Sequence, residues 1–388
     1  CDCCSSVCSS DLAAPASDRV LRRLAPGAGA GGAGEVADAL DADAGRALPA
    51  GWRVYRLDAP QTLAEVRDNL AATGADRRVE LDGVVRAAGD PMLADQWDMA
   101  NTGQGGGRPG EDITAVGAWA LTRTAAPVTV AVVDTGADIG HPDLAGQLWT
   151  DPETGLHGWD FVDGDGDLYH GPGDTHGTHV AGIIAAAHDN GVGVAGVAPN
   201  ARIMVLRFMD AHEVGRTSDA IAAIAWATAH GARVINASWS SSGYSAALCQ
   251  AVAEARQAGV SVVAAAGNDA LDTAAAPTWP ASCPGVVSVA ATDARGELAP
   301  FSNRGATVDL AAPGAEVLST VPGGGYGWYS GTSMAAPHVA GAAALLAGMG
   351  PSLRPDQIRQ ALRAGADPLP SLAGRVASGG RLDLVGAL

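Results

Sequence analysis

From residue 128 onward the chain alternates short, almost continuously apolar runs with longer stretches of helical spacing. The apolar runs predict strands at residues 128–133, 202–209, 233–237, 260–266, 286–291 and 308–311. The intervening and following stretches predict helices at residues 178–187, 218–229, 246–258, 333–347 and 355–364. Strands that are apolar along their whole length and are separated by helices indicate a parallel sheet covered on both faces. We therefore predict an α/β domain of three layers built on a parallel sheet.

Size and charge limit the function. The 388 residues are 47% hydrophobic, which is enough for one large core and a small additional unit. A net charge of −18 disfavours nucleic-acid binding and favours solubility and cation binding. The uncharged run 332–353 contains Pro337 and several glycines, and predicts a buried core helix rather than a membrane span. We expect a monomer that binds no nucleic acid and has no membrane span; no signal peptide is visible.

The first 89 residues differ in pattern from the rest. Residues 27–34 form a Gly/Ala run of the kind found in flexible linkers, so we predict a low-complexity leader over 1–34. Residues 35–89 predict a small α+β unit, with strands at 52–57 and 79–85 and a helix at 62–73; a disordered extension is the alternative. Residues 90–388 then form the large domain.

Three glycine-marked stretches carry an Asp, a His and a Ser in that order. They are Val-Val-Asp134-Thr-Gly, His176-Gly-Thr-His179-Val-Ala-Gly and Gly-Thr-Ser333-Met-Ala-Ala-Pro-His. A serine hydroxyl attacks an amide near neutral pH only if a neighbouring base takes its proton and an acid orients that base. We predict Ser333 as the nucleophile, His176 as the general base and Asp134 as the residue that orients the base.

A fourth group follows another predicted strand. Asn268 ends the run Val-Val-Ala-Ala-Ala-Gly-Asn, and Asp134 also lies where a strand ends. Because active sites of parallel sheets lie at the carboxyl ends of the strands, these residues should meet there. The Asn268 amide and the Ser333 backbone N–H could hold an oxyanion, and such donors contribute about 3–4 kcal/mol. Together the four groups predict a serine-dependent amide hydrolase.

Each stretch taken alone supports another chemistry. Asp134-Thr-Gly is also found in aspartic peptidases, but these need a second such carboxylate, and the sequence has no second Asp-Thr-Gly or Asp-Ser-Gly. His176 and His179 have helical metal-ligand spacing but lack the His-Glu-x-x-His motif. Ser333 lacks the Gly-x-Ser-x-Gly turn of α/β-hydrolases, which also order their triad differently. Two other classes stay open: a catalytically inactive protein that acts as a binding module, and a serine esterase or lipase.

With these motifs the chain resembles the subtilisin-like serine peptidases, especially the thermitase-like branch. The resemblance covers residues 90–388 and includes Gln96-Trp97, Asn101-Thr-Gly-Gln and Gly380-Arg-Leu-Asp383. The Asp, His, Ser order is a known property of that family. The resemblance implies a secreted serine endopeptidase that cleaves proteins or peptides, with Asp134, His176, Ser333 and Asn268 in the roles above.

The resemblance also implies a substrate-binding surface. Ser238, Trp239 and Ser240 would form an extended rim that pairs with the substrate backbone as an added strand. Relatives usually have Gly in place of Ser240. Residues 264–267, including Ala265 and Gly267, would line one wall of the primary specificity pocket, with Thr278 near its base.

Two calcium sites are expected, and calcium would be structural. Alternating Asp and Gly in an acidic loop can curl around a hard cation, which predicts ligands at Asp160, Asp163, Asp165 and Asp167; a solvated acidic loop is the alternative. The resemblance implies a second site. Its ligands would be the side chains of Asp90, Asp143 and Asn190 and the carbonyls of His188, Val192 and Val194.

The cysteines fall into two groups. Cys249 and Cys283 stand alone in the large domain and suit one disulfide of an exported protein, although two separate buried thiols would give the same pattern. The other four lie near the start of the sequence and match no familiar zinc spacing; a metal-binding, disordered or lipid-modified tail all stay open for Cys1, Cys3, Cys4 and Cys8.

The unit before residue 90 lies where the family carries its propeptide. That element resembles a ferredoxin-like inhibitor that assists folding and is then removed. The resemblance therefore implies a precursor whose own propeptide acts as an intramolecular inhibitor. We expect self-cleavage near residues 89–90.

Overall fold

The computed structural model describes residues 16–23, 30–47, 52–72, 79–81, 89–122 and 125–388. The chain divides into two compact units, Cys1–Ala87 and Ala88–Leu388. Cys1, Cys3, Cys4 and Cys8 lie outside the described residues, and so do residues 82–88, directly before the expected cleavage point.

The small unit is an antiparallel sheet with two helices. In chain order its elements are β1 (Ala16–Arg23), α1 (Ala30–Ala39), β2 (Ala42–Ala47), β3 (Trp52–Thr62), α2 (Leu63–Ala72) and β4 (Val79–Leu81). The strand order β2-β3-β1-β4 is that of the ferredoxin-like split βαβ arrangement. Val20 and Tyr55 of the sheet and Val36, Val66 and Leu70 of the helices are buried together, so this unit has its own apolar core.

The leader prediction needs correction at its C-terminal half. Strand β1 lies within residues 1–34, and α1 begins inside the Gly/Ala run that predicted a linker. Glycine costs a helix up to about 1 kcal/mol per residue, but burial of Ala33 and Val36 offsets this cost. Strand β1 has little apolar signal of its own. It forms because it pairs with β3 on one side and β4 on the other.

The large unit follows the predicted alternation. Its helices are α3 (Ala115–Thr122), α4 (Thr175–Ala185), α5 (Thr217–Ala229), α6 (Ala246–Gln257), α7 (Thr332–Met349), α8 (Pro355–Ala364) and α9 (Leu384–Ala387). Its strands are β5 (Val128–Asp134), β6 (Gly158–Asp160), β7 (Ala201–Arg207), β8 (Val234–Ala237), β9 (Ser261–Ala265), β10 (Val287–Thr292), β11 (Leu310–Pro313), β12 (Val317–Val321), β13 (Gly325–Tyr329), β14 (Asp367–Pro368) and β15 (Gly380–Arg381).

These strands form one large sheet and one hairpin. The sheet order is β14-β15-β11-β10-β9-β8-β5-β7-β6, and all its pairs are parallel except β14 with β15. Strands β12 and β13 pair separately as an antiparallel hairpin. All six predicted strands and five predicted helices are confirmed as β5, β7 to β11 and α4 to α8, with ends that differ by at most three residues. The predicted α/β fold is therefore confirmed.

Both faces of the sheet are covered. Along β5, Val130 and Val132 pack into a core with α4 and α7, whereas Ala131 and Val133 pack on the opposite face with α5 and α6. This arrangement explains why the strands are apolar throughout, since successive side chains of a strand point to opposite faces. The layering leaves the strand ends as the open edge of the domain, and the catalytic candidates lie there.

A disulfide ties one covering helix to the sheet. Cys249 of α6 is bonded to Cys283, which precedes β10, and their Cα atoms are 5.3 Å apart. The pairing predicted from the sequence is therefore present. Closing a loop of this length removes denatured-state entropy equivalent to about 4 kcal/mol at 25 °C. Among the described residues, no helix is both long and apolar enough to cross a membrane.

Candidate active site

Asp134 is the last residue of β5 and is completely buried. Its Oδ1 atom accepts a hydrogen bond from Nδ1 of His176 at 2.7 Å and another from the Thr135 backbone N–H at 2.8 Å. Its Oδ2 atom is buried without a hydrogen-bond partner within the described residues. The carboxylate therefore interacts mainly with the His176 imidazole.

His176 lies in the first turn of α4, and its ring is mostly buried. Burial lowers the pKa of this imidazole, but the charge of Asp134 and the hydrogen bond to it outweigh the burial, so the pKa is raised above 6.5. Because Nδ1 donates to Asp134, the neutral ring carries its lone pair on Nε2. The ring is thus oriented as a base that accepts a proton on Nε2.

Ser333 is the second residue of α7. Its Oγ atom donates to the Ser238 carbonyl at 2.8 Å rather than to His176, so the serine–histidine hydrogen bond expected from the sequence is not made in this conformation. Both side chains nevertheless line the same cleft. As the second residue of a helix, Ser333 has a backbone N–H with no acceptor inside the helix, and this N–H is available to bind negative charge.

The side chain of Asn268 is held in one orientation. Its Oδ1 atom accepts from the Thr332 backbone N–H at 2.8 Å and from the Thr332 hydroxyl at 2.9 Å. The carboxamide oxygen therefore faces α7, and the Nδ2 donor points away from Thr332. Sequence reasoning identified Asn268 but missed Thr332, although this residue directly precedes the candidate nucleophile.

The cleft lined by His176, Asn268 and Ser333 has a volume of about 540 Å³. One wall includes the predicted rim residues Ser238, Trp239 and Ser240. Residues between β7 and α5, which sequence reasoning missed, also line the cleft: Phe208, Met209, Glu213, Val214, Gly215 and Arg216. Met209 and Gly215 form an antiparallel bridge, so this wall also has extended backbone. Main-chain segments at 208–216 and at 238–240 therefore both border the cleft.

Hydrogen bonds fix the predicted rim. The Ser238 hydroxyl donates to the Ser333 carbonyl at 2.8 Å, and the indole N–H of Trp239 donates to the Val133 carbonyl at 3.0 Å. The rim is thus tied both to Ser333 and to the strand that carries Asp134. Ser240 is exposed and has no left-handed backbone conformation, so its backbone does not require the glycine usual at this position.

The predicted pocket-wall residues lie together, but they are buried behind the cleft surface. Ala265 is 2% exposed and Thr278 is 6% exposed, and neither lines the cleft. The Thr278 hydroxyl donates to the Ala266 carbonyl at 2.7 Å. A Cβ at Gly267, whose φ is +106°, would lie 3.4 Å from the Thr278 methyl group. Thr278 therefore packs tightly beneath the loop that carries Asn268.

His179, three positions after His176 in α4, is a core residue. Its Nε2 atom lies 3.1 Å from the Val317 carbonyl and 3.0 Å from the Gly327 carbonyl, so it donates to the β12–β13 hairpin. Burial lowers its pKa to about 3. The imidazole is therefore neutral at physiological pH. These contacts indicate a structural role for His179. They do not fit a metal site in which His176 and His179 are both ligands.

The acidic loop after β6 differs from the predicted ligand set. Asp160 and Asp163 come together with His170, whereas the Asp165 and Asp167 carboxylates accept from backbone N–H groups within the loop. The guanidinium of Arg207, which sequence reasoning missed, also contacts these carboxylates. Nη1 of Arg207 lies 2.5 Å from Asp160 and 2.8 Å from Asp163. Asp160 and Asp163 of the predicted set therefore lie together with His170, and part of their charge is balanced by Arg207.

Three members of the second predicted metal site, Asp143, Asn190 and Val194, contact one another. The Asn190 amide donates to Asp143 Oδ1 at 2.7 Å, and the Val194 backbone N–H donates to Asp143 Oδ2 at 3.0 Å. Burial raises the pKa of Asp90, although backbone N–H groups of Asp189 and Asn190 oppose the rise. The Oδ1 atom of Asp90 is buried without a partner in the described part of the chain. A buried, unpartnered carboxylate oxygen beside a second carboxylate fits a cation.

Comparisons with known proteins agree with this geometry. Residues 126–383 match the subtilase family. The chain is 45% identical over 254 residues to the thermophilic serine proteinase of Bacillus sp. (strain AK1), a match that covers 65% of this chain and 59% of that protein. It is 42% identical over 259 residues to thermitase of Thermoactinomyces vulgaris, covering 67% and 88% of the two chains. This chain thus spans less than two thirds of the length of the first of these relatives.

Solved structures show the same likeness. A protease of Pseudoalteromonas arctica PAMC 21717 superimposes with a TM-score of 0.66 at 34% identity, covering 78% of this chain and 98% of that one. A cold adapted subtilisin-like serine proteinase gives a TM-score of 0.59 at 37% identity, covering 66% and 88%. The chain therefore belongs to the subtilase family, a family of serine endopeptidases.

Proposed function

We propose that this protein hydrolyses peptide bonds through Asp134, His176, Ser333 and Asn268. The observation that carries the proposal is that His176, Asn268 and Ser333, which are distant in sequence, line one cleft, and that Asp134 is hydrogen-bonded to His176. The Asp134–His176 hydrogen bond and the free helix N–H groups beside Ser333 are the parts that acyl transfer requires. The two backbone edges of the cleft suit an extended peptide that pairs as an added strand.

Attack begins with a rotation of the serine side chain. The hydroxyl leaves the Ser238 carbonyl and donates to Nε2 of His176. As Oγ bonds to the substrate carbonyl carbon, the hydroxyl proton passes to Nε2, and the imidazolium that forms is stabilised by Asp134. When the C–N bond breaks, Nε2 returns this proton to the leaving amine. Water then repeats the sequence on the acyl-enzyme and releases Ser333.

The carbonyl oxygen becomes an oxyanion in each attack. Nδ2 of Asn268 and the Ser333 backbone N–H are the donors available to it. Because Thr332 already holds the Asn268 carboxamide by its oxygen, the donor is oriented before substrate arrives. Preorganised donors of this kind contribute about 3–4 kcal/mol to the stabilisation of the transition state.

The test compares substrates and a nucleophile variant. The wild-type protein should hydrolyse casein and leave a long-chain ester largely intact, and Ser333→Ala should lose casein hydrolysis. Preference for the long-chain ester would indicate an esterase. A protein that hydrolyses neither would be a binding module built on an inactive subtilase fold.

We further propose that the chain is a precursor that cleaves itself. The ferredoxin-like topology of the small unit supports a propeptide role over residues 35–89, extended to include β1. Ser333→Ala should accumulate as uncut chain, and wild type should release a mature form beginning near residues 89–90. Normal processing of isolated Ser333→Ala would exclude self-cleavage. The released unit should inhibit the mature form when it is added back.

Calcium is proposed as a structural ion. The side chains of Asp90, Asp143 and Asn190 and the carbonyls of His188, Val192 and Val194 would hold it, and the unpartnered oxygen of Asp90 supports this site. Bound calcium would supply positive charge that stabilises these loops, with no part in bond cleavage. The acidic loop of Asp160 to Asp167 keeps a net negative charge beside Arg207 and is the weaker candidate.

We propose that the protein is exported and acts as a monomer. The Cys249–Cys283 disulfide and the extensive similarity to thermitase support export, since disulfides persist in oxidising compartments. Mass spectrometry of protein isolated from culture medium and from cells would locate the mature form. Retention of all mature protein inside the cells would contradict the proposal.

A further inference from the structure

Asn303 lies directly behind the oxyanion-hole candidate and is completely buried. It is 35 positions after Asn268 in the sequence and follows β10. Its Oδ1 atom accepts from the Asp269 backbone N–H at 3.1 Å and from the Leu271 backbone N–H at 2.9 Å. Its Nδ2 atom donates to the Ala266 carbonyl at 3.0 Å. One side chain thus bonds to the loop on both sides of Asn268.

The backbone of Asn303 adds a further bond. Its N–H donates to the Gly267 carbonyl at 2.9 Å. Gly267 has a φ of +106°, and a Cβ there would lie only 2.3 Å from Nδ2 of Asn303. The glycine is therefore required both by its backbone conformation and by the close approach of Asn303. The main chain at 266, 267, 269 and 271 is fixed by a single residue.

The opposite side of the loop is fixed by α7. The Gly267 backbone N–H donates to the Thr332 hydroxyl at 3.1 Å, and that hydroxyl donates to Asn268 Oδ1. Thr332 sets the rotation of the carboxamide, whereas Asn303 sets the position of the main chain from which the carboxamide extends. The hydrogen bonds to Thr332 cannot keep Nδ2 of Asn268 in place if the main chain at residues 266–271 moves.

We propose that Asn303 is a positioning residue that acts through Asn268. By holding residues 266–271, it keeps Nδ2 of Asn268 at the point where the oxyanion forms. It touches neither the substrate nor the reacting atoms. A displacement of about 1 Å in such a donor costs up to about 10²-fold in rate, so the loop position matters as much as the presence of the amide. This inference rests on the proposed function.

The inference predicts a defined kinetic pattern. Asn303→Ala should lower kcat roughly 30-fold with little change in KM, because the oxyanion forms after the substrate is bound. Asn303→Asp keeps acceptors for the N–H groups of Asp269 and Leu271 but loses the donor to Ala266. It should therefore retain more of the kcat than Asn303→Ala.

A double-mutant cycle separates positioning from general destabilisation. In an Asn268→Ala background, Asn303→Ala should cause little further loss, since the donor it positions is gone. A merely structural residue would give the same fold loss in both backgrounds. Thermal unfolding and titration with an organophosphonate would count the folded active sites in each variant, so that kcat is expressed per intact Ser333.

Asn101 provides the matched control. It is also a buried asparagine, and its side chain makes three hydrogen bonds, to Gly103, Glu111 and Ala294, in a loop that does not line the cleft. Asn101→Ala should lower the Tm and leave kcat per active site unchanged. Equal kcat losses for Asn101→Ala and Asn303→Ala would overturn the inference.

The outcomes also distinguish this inference from the proposed function. If wild type cleaves peptides and Asn268→Ala loses about 10²–10³-fold in kcat while the Asn303 effect is additive, the positioning role is wrong and the proposed function stands. If wild type cleaves no peptide, the proposed function fails first. If Asn303→Ala does not fold, Asn303→Asp replaces it in the double-mutant cycle. An additive effect of Asn303→Asp and Asn268→Ala would likewise exclude the positioning role.

Discussion

Replacement of Asp134 by Asn is the most informative single change, since it removes one charge and nearly no volume. The carboxylate is completely buried, and its bonded oxygen lies 2.7 Å from Nδ1 of His176. In the transition state His176 becomes an imidazolium. Two unit charges about 4 Å apart interact by about 4 kcal/mol at an effective dielectric constant of about 20, which corresponds to about 10³ in rate. We therefore expect kcat/KM to fall by roughly 10³ near pH 7.

The pH dependence gives a second, independent signature. His176 must be neutral to accept a proton, so wild-type activity should be lost as the pH falls through its raised pKa. Asp134 is the cause of that rise, while burial works against it. In Asp134→Asn the burial remains and the rise is lost. The acidic limb of the kcat/KM profile should therefore move to lower pH as the maximum falls.

The assay is hydrolysis of a peptide p-nitroanilide from pH 4 to 10, with active sites counted in each preparation. Asp138→Asn is the control, because Asp138 is a buried carboxylate that bonds to the backbone of Gly140 and Gly323 and not to His176. The control should leave the acidic limb in place. An acidic limb that stays in place in Asp134→Asn, or a loss below tenfold, would refute the assigned role of Asp134.

Three other predictions concern stability and substrate selectivity. Cys283→Ser should lower the free energy of unfolding, measured with denaturant, by up to about 4 kcal/mol. Reductant should have no further effect on the variant. A wild-type unfolding curve that reductant leaves unchanged would argue against the disulfide. Excess chelator should lower the Tm of wild type, and Asp143→Ala should abolish that response; a chelator-insensitive wild type would exclude both calcium sites. Thr278→Ala removes one donor to the Ala266 carbonyl and should relax the selectivity among substrate side chains next to the cleaved bond; an unchanged preference in a peptide library would place that pocket elsewhere.

The sheet and its main helices were predictable because burial on both faces leaves a plain apolar signal. The β12–β13 hairpin was not, since Gly325–Tyr329 is glycine-rich and partly exposed and pairs only with its neighbour. Strand β1 escaped prediction for a similar reason. Only its pairing with β3 and β4 makes it a strand.

The catalytic candidates were predictable because each lies in a local motif whose residue types have a chemical meaning. Residues that act by positioning other groups were not predictable, because they lie in no such motif. Arg207 is one residue of a strand, and Asn303 lies in a loop with no motif; their partners Asp160 and Asp269 are 47 and 34 positions away in the sequence. Such partners are set by strand order and by the meeting of strand ends, which a single sequence does not specify.

The central claim is that Ser333 is a nucleophile activated by His176. The direct measurement is reaction of the mature protein with a fluorophosphonate, followed by peptide mapping in a mass spectrometer. The account predicts one phosphonyl group on the peptide that contains Ser333, with fluoride released, slow labelling in His176→Ala and none in Ser333→Ala. An unlabelled wild type, or a label that persists in Ser333→Ala, would contradict it.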